Sequence, residues 1–256
     1  MIKIFGAKIR CFFCYYFFEN FKSLKLGTRQ KAWEASKQVG PVVADKLLNL
    51  VKLRNQAAQQ LGFENYYLMS MMLSEQNPAA IESLFGDLAD RTNVPFRELK
   101  QKIDETLAER FGISVNDMQA RHYEDPFFQE VPHISEVNMN QFFKDQNVAN
   151  LAREFYSGIH LPADSILKNS DLYEKPGKDP HAFCMDIDRK GDVRILANVK
   201  NDEYWMSTML HETGNGVYDY YVDRNLPFLL RTHAHIFATE AVAKFFGRLS
   251  RNAGLA

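Results

Sequence analysis

Residues 205–221 restrict what this chain can be more than any other stretch. Apolar side chains, among them Trp205, Met206, Met209, Leu210 and Val217, recur at helical intervals around the pair His211-Glu212, as a buried site helix requires. Residues four apart on a helix share a face, so the spacing H-E-x-x-H lets two imidazoles reach one zinc ion while the Glu faces the metal-bound water as general base. Here His211 and Glu212 keep their places and Asn215 stands where the second His belongs. Asparagine offers a carbonyl oxygen, a hard ligand better suited to calcium or magnesium, so zinc at this spacing is expected to be held more weakly. By itself H-E-x-x-N is a weak signal, because a His-Glu pair on an amphipathic helix usually marks a solvated face. The surroundings strengthen it. Asn201 and Asp202 are N-cap candidates, and Asn225 with Pro227 closes the segment. A second helix is predicted over residues 233–251 with Glu240 near its first turns. A helix-loop-helix return would carry the Glu240 carboxylate back to His211, completing three protein ligands and leaving one position for water.

Ahead of this helix, residues 181–187 and 192–199 flank an Arg189-Lys190-Gly191 turn and read as a β-hairpin. A free hairpin edge there binds an extended peptide by strand addition, through main-chain hydrogen bonds that demand no particular sequence.

Several separated blocks carry a family resemblance in the right order. They are Met209-Leu210-His211-Glu212-Thr213-Gly214, Leu226-Pro227-Phe228-Leu229-Leu230-Arg231 and Thr239-Glu240-Ala241, and upstream Lys31-Ala32-Trp33-Glu34-Ala35-Ser36-Lys37-Gln38-Val39-Gly40, Leu61-Gly62-Phe63-Glu64-Asn65-Tyr66-Tyr67 and Asp125-Pro126-Phe127-Phe128-Gln129. From residue 27 onward the chain resembles the angiotensin-converting-enzyme-like peptidyl-dipeptidases, gluzincin zinc metallopeptidases, in their bacterial form. The resemblance implies His211 and Glu240 as zinc ligands, Glu212 as the general base that also protonates the leaving amine, and Asn215 in the second ligand's place. It also implies that Pro180-His181-Ala182-Phe183-Cys184-Met185-Asp186 is a substrate-binding edge strand. There His181 would reach a substrate carbonyl, and the backbone of Ala182 and Cys184 would pair with the peptide.

The sequence departs from that family in four places. Asn215 is one. Members place a His and a Tyr that stabilise the tetrahedral intermediate well beyond the zinc Glu, whereas this sequence stops at Ala256. Residues 1–26 do not read like the family, and Lys244 occupies a place where eukaryotic members carry an Asp that orients a ligand His. The expected organisation is a non-family segment over 1–26 and a partial peptidase domain over 27–256, truncated at both ends. Within it, a helical region spans 27–160, and the substrate hairpin and zinc-motif helices span 161–256.

A mostly α fold with one small antiparallel hairpin beside the zinc-motif helix follows from the remaining pattern. Residues 29–61 carry apolar positions at three- and four-residue spacing, with Pro41 dividing them into two helices. Helices follow over 64–75, 78–91, 95–111 and 140–158, with Ser114 and Asp117 forming an S-x-x-D capping pattern. A net charge of −1 and a pI near 6.7 give no electrostatic footprint for nucleic acid.

Cys11, Cys14 and Cys184 cannot all pair, and a lone C-x-x-C outside a thioredoxin-like context is weak evidence of redox chemistry. Lys3, Lys8 and Arg10 precede the apolar run 11–18, an order reminiscent of a signal peptide. It lacks a small-residue cleavage site and is too short to span a membrane, so an aromatic amphipathic segment or a displaced translation start is expected. His122, His133 and His160 read as loop or packing residues. His233 and His235 are the positions from which a substitute ligand could come.

Two functions compete on this reading. One is a zinc-dependent peptidase of peptidyl-dipeptidase type acting on a peptide substrate. The other is a pseudopeptidase that keeps the fold and the groove without completing the metal site.

Overall fold

The computed structural model describes residues 25–123 and 138–251 except 234, together with positions 23, 128, 131, 132 and 134. The Cys11 and Cys14 pair, the apolar run 11–18, His133 and all of the block 125–129 except Phe128 lie outside the described residues. The backbone divides into two compact units at residue 136, taken in turn.

In the first unit, α1 (Leu26–Lys37) and α2 (Val39–Gln60) are separated at Gln38. Pro41 sits in the first turn of α2, where an imino nitrogen costs no hydrogen bond, so two helices form as expected and the break precedes the proline. Asn65 accepts from the Leu68 N–H at 2.9 Å and starts α3 (Tyr66–Leu73). Asn77 and Pro78 then start α4 (Pro78–Phe111), which Gly112 closes at a φ of 63°.

The two helices predicted over 78–91 and 95–111 are one, with Pro95 inside it. The turn before Pro95 is exposed, so water hydrates the carbonyl that the proline leaves free, and the apolar stripe keeps its helical phase from Leu88 to Leu99. Ser114 does cap, but it caps the short 3₁₀ turn Val115–Asp117. Arg29 is buried and satisfied by carbonyls: its Nε donates to Ser23 O at 3.1 Å and its Nη1 to Tyr123 O at 3.1 Å.

The second unit holds the hairpin and the motif helix. A 3₁₀ turn, Met139–Phe142, precedes α5 (Val148–Gly158), whose N-cap is Asn147, so the predicted helix 140–158 starts later than its sequence pattern suggests. After α6 (Asp164–Asn169) come β1 (Phe183–Asp186) and β2 (Val193–Leu196), paired antiparallel with Cys184 opposite Ile195. Arg189 and Gly191 take positive φ in the turn between them.

On its other side β2 is joined by Asp171, whose N–H donates to Ile195 O at 2.9 Å while its carbonyl accepts from Ala197 N. Then follow α7 (Glu203–Tyr220) and α8 (Ile236–Gly247). The core lies between α5, α6, β2 and α7, from Val148, Tyr156, Ile166, Val193, Ile195, Met209 and Leu210. The result is the mostly helical fold, with one small antiparallel hairpin beside the motif helix, that the sequence predicts. Among the described residues no helix is long and apolar enough to cross a membrane.

Candidate active site

Asp202 sets the register of α7 by accepting from the Trp205 N–H at 2.8 Å. One face of the helix then buries Met206, Met209, Leu210 and Val217. Glycines let neighbouring elements approach this helix closely. A Cβ on Gly214 would stand 3.0 Å from Tyr156 Oη and 3.2 Å from Ala243 Cα, and one on Gly247 would stand 3.4 Å from His211 Cβ. Tyr156 reaches across from α5 to donate to Leu210 O at 2.5 Å, and burial pushes its phenol far above the ordinary range. The residue preceding His211 is thereby pinned.

Close packing of α7 on α8 brings two of the predicted ligands together. His211 Nε2 lies 3.7 Å from Glu240 Oε2, with side chains 25% and 49% exposed. Burial lowers the His211 pKa, opposed by Glu240 and assisted by Lys244, so its imidazole is neutral near pH 7 and offers a lone pair. Glu212 is buried one residue on. Burial, reinforced by the Glu240 charge, raises its pKa from 4.5 to about 7, while the Asn215 amide and the Cys184 backbone N–H facing it act in the opposite sense.

Asn215 therefore turns its amide nitrogen toward Glu212. Its Oδ1 is buried without a hydrogen-bond donor. Lys244, on α8, places a cation near His211.

The hairpin supplies the remaining wall. Ile187 N–H donates to Asp192 O at 2.9 Å, which fixes the odd-numbered residues of β1 as those bonded to β2. The N–H and C=O groups of Ala182, Cys184 and Asp186 consequently point to the opposite edge, the edge on which Cys184 meets Glu212. Burial and the neighbouring Asp219 and Glu212 charges keep the Cys184 thiol protonated, so it is no nucleophile. His181 lies two residues before β1 with its side chain 89% exposed, oriented by Asp179, whose Oδ1 accepts its N–H at 2.9 Å and sits 3.3 Å from its Nδ1.

His233 is drawn to Asp219, with Nδ1 3.7 Å from Oδ1, and the His235 ring packs on Phe237 at 4.1 Å between centroids. Neither joins the His211–Glu240 pair: among the described residues no three His, Cys, Asp or Glu side chains gather where they could hold a metal ion. What the site offers is two strong donors and an amide. Two ligands each about 2.1 Å from a tetrahedral ion stand roughly 3.4 Å apart. The His211–Glu240 separation is near that spacing, and the orphaned Asn215 oxygen is the further acceptor that the same helix offers.

One residue that shapes this wall has no motif in the sequence. Lys178 has a side chain 3% exposed. Its Nζ donates to the carbonyls of Asp171, Tyr173 and Ala197, tying the preceding loop to β2.

The helix bearing His211-Glu212, Glu240 returned from the next helix and the outer edge of β1 thus lie together. The chain belongs to peptidase family M3, whose family model matches residues 22–252. The sequence expectation therefore holds at the level of a gluzincin-type zinc metallopeptidase, while the matching family is M3 and not specifically the angiotensin-converting-enzyme-like one. Among solved structures the fold is similar to a chain designated oligoendopeptidase F from Bacillus anthracis, with a TM-score of 0.62 and 16% identity over 91% of this chain and 43% of that one. It is also similar to PZ peptidase A with inhibitor 2, with a TM-score of 0.57 and 17% identity over 91% of this chain and 42% of that one. The chain thus spans less than half the length of these structures. No curated protein matches the sequence.

Proposed function

We propose that the chain carries the site of a zinc-dependent peptidase that hydrolyses oligopeptides held in extended form. The observation that carries this reading is the position of Glu212, buried between the His211–Glu240 pair and the outer edge of β1. His211 and Glu240 would hold the metal with Asn215 as third ligand; when bound, it supplies Lewis-acid polarisation of a peptide carbonyl. Glu212, with a pKa of about 7, is poised to accept a proton from water and return it to the leaving amine. Ala182 and the Cys184 carbonyl offer main-chain groups to an added strand, the Cys184 N–H being turned to Glu212, and His181 stands at the strand's entrance.

Internal cleavage is preferred here over dipeptide release, because the family is M3 and two of the similar structures are designated oligoendopeptidase F. Mass analysis of the products from a panel of oligopeptides of defined length tests this reading. Internal cuts at several positions are expected, and uniform release of C-terminal dipeptides would instead restore the peptidyl-dipeptidase assignment.

Asn215 favours a second reading, in which the groove binds peptide and does not cut it. Retained peptide binding with no products under added zinc is the result that selects it.

A further inference from the structure

We infer that Asn215 acts as an oxygen ligand through Oδ1, so that the site presents one nitrogen and two oxygen protein donors and discriminates less in favour of zinc than a two-histidine site. The inference rests on the metal-site reading above. Its basis is the division of labour within one amide. The nitrogen end faces the Glu212 carboxylate. The oxygen end is buried with no donor of its own. A buried acceptor left unmatched is unfavourable, and a cation shared with the His211–Glu240 pair would satisfy it.

The contact with Glu212 is made by the nitrogen end, which leaves the oxygen as the atom of Asn215 without a partner. Nitrogen and thiolate donors favour zinc, whereas carboxylate and carbonyl oxygens suit manganese, calcium and magnesium. Replacing an imidazole by an amide oxygen lowers zinc affinity more than manganese affinity, so the zinc-to-manganese ratio narrows.

The test measures zinc and manganese dissociation constants by chelator competition for the full chain and for Asn215→His, Asn215→Leu and Glu240→Gln, with thermal stabilisation by each metal as a second readout. Asn215→His is expected to tighten zinc at least about tenfold more than manganese, and Asn215→Leu to weaken manganese at least about tenfold. If Asn215→Leu binds manganese as the native chain does, or if Asn215→His tightens both metals equally, the oxygen-ligand inference is overturned. If the native chain binds neither metal while Asn215→His binds zinc, the inference fails and the metal-site reading stands. If no variant binds either metal and Glu240→Gln changes nothing, the metal-site reading itself fails.

Discussion

Glu212 shows how much one buried side chain controls here. Its folded-state pKa of about 7 lies above the ordinary 4.5, so the metal-free folded chain prefers the protonated acid. The associated stability is complete below about pH 4.5 and is lost as pH rises to about 7, a change on the order of 3 kcal/mol. Urea unfolding of chelator-treated protein between pH 4 and 8 should show this decline, and Glu212→Gln should flatten it. A decline that survives in Glu212→Gln would assign it to another group.

That His211, Glu212 and Asn215 share one helix and that Glu240 returns beside His211 was legible in the sequence, because helical spacing places the first three and a short return brings back the fourth. Tyr156 and Lys178 were not. Their roles depend on carbonyls far away in the chain, at Leu210 and Ala197, and no local pattern encodes such partners.

At the scale of elements, two positions decide how helices pack and continue. Gly214 allows α7 and α8 to approach, and its surroundings include the Ala243 backbone, which cannot swing aside. Gly214→Ala gains about 1 kcal/mol of helix propensity and loses about 1–3 kcal/mol to overpacking, so a net fall in stability is expected in thermal unfolding. A rise would mean that α7 and α8 separate without strain.

Pro95 behaves oppositely. It interrupts the ladder of an otherwise continuous α4, and Pro95→Ala should stabilise the chain by about 1–3 kcal/mol. The sequence expectation of two helices gave the proline more weight than the apolar stripe. The stripe, running in one phase from Ile81 through Leu88 and Leu99 to Leu107, was the better guide. The hairpin and the Asp202 cap were readable because turn residues and capping side chains act within a few positions of where they stand.

Across the whole molecule, the described residues leave much apolar surface uncovered. Leu47, Leu50 and Leu53 on α2, and Leu84, Phe85, Leu88 and Phe96 on α4, are all exposed, as are Leu229, Ile236, Phe237 and Phe245. Clustered apolar exposure of this kind marks faces that seek a partner. Sedimentation velocity is therefore expected to show concentration-dependent association of this chain, reduced by Phe85→Lys with Leu88→Lys while the melting temperature stays unchanged. Sequence periodicity gave the apolar stripe on α2 without giving what covers it, since amphipathicity reports that a face seeks a partner and not which partner it finds.

The central claim is that Glu212 works as a proton-transfer group beside a metal held by His211 and Glu240. Cleavage of an internally quenched oligopeptide by the native chain, Glu212→Gln and Asn215→His, each at saturating zinc, tests it most directly. The account predicts the fastest turnover from Asn215→His, slower turnover from the native chain and none from Glu212→Gln, which still binds the peptide. Turnover by Glu212→Gln at the native rate would contradict it.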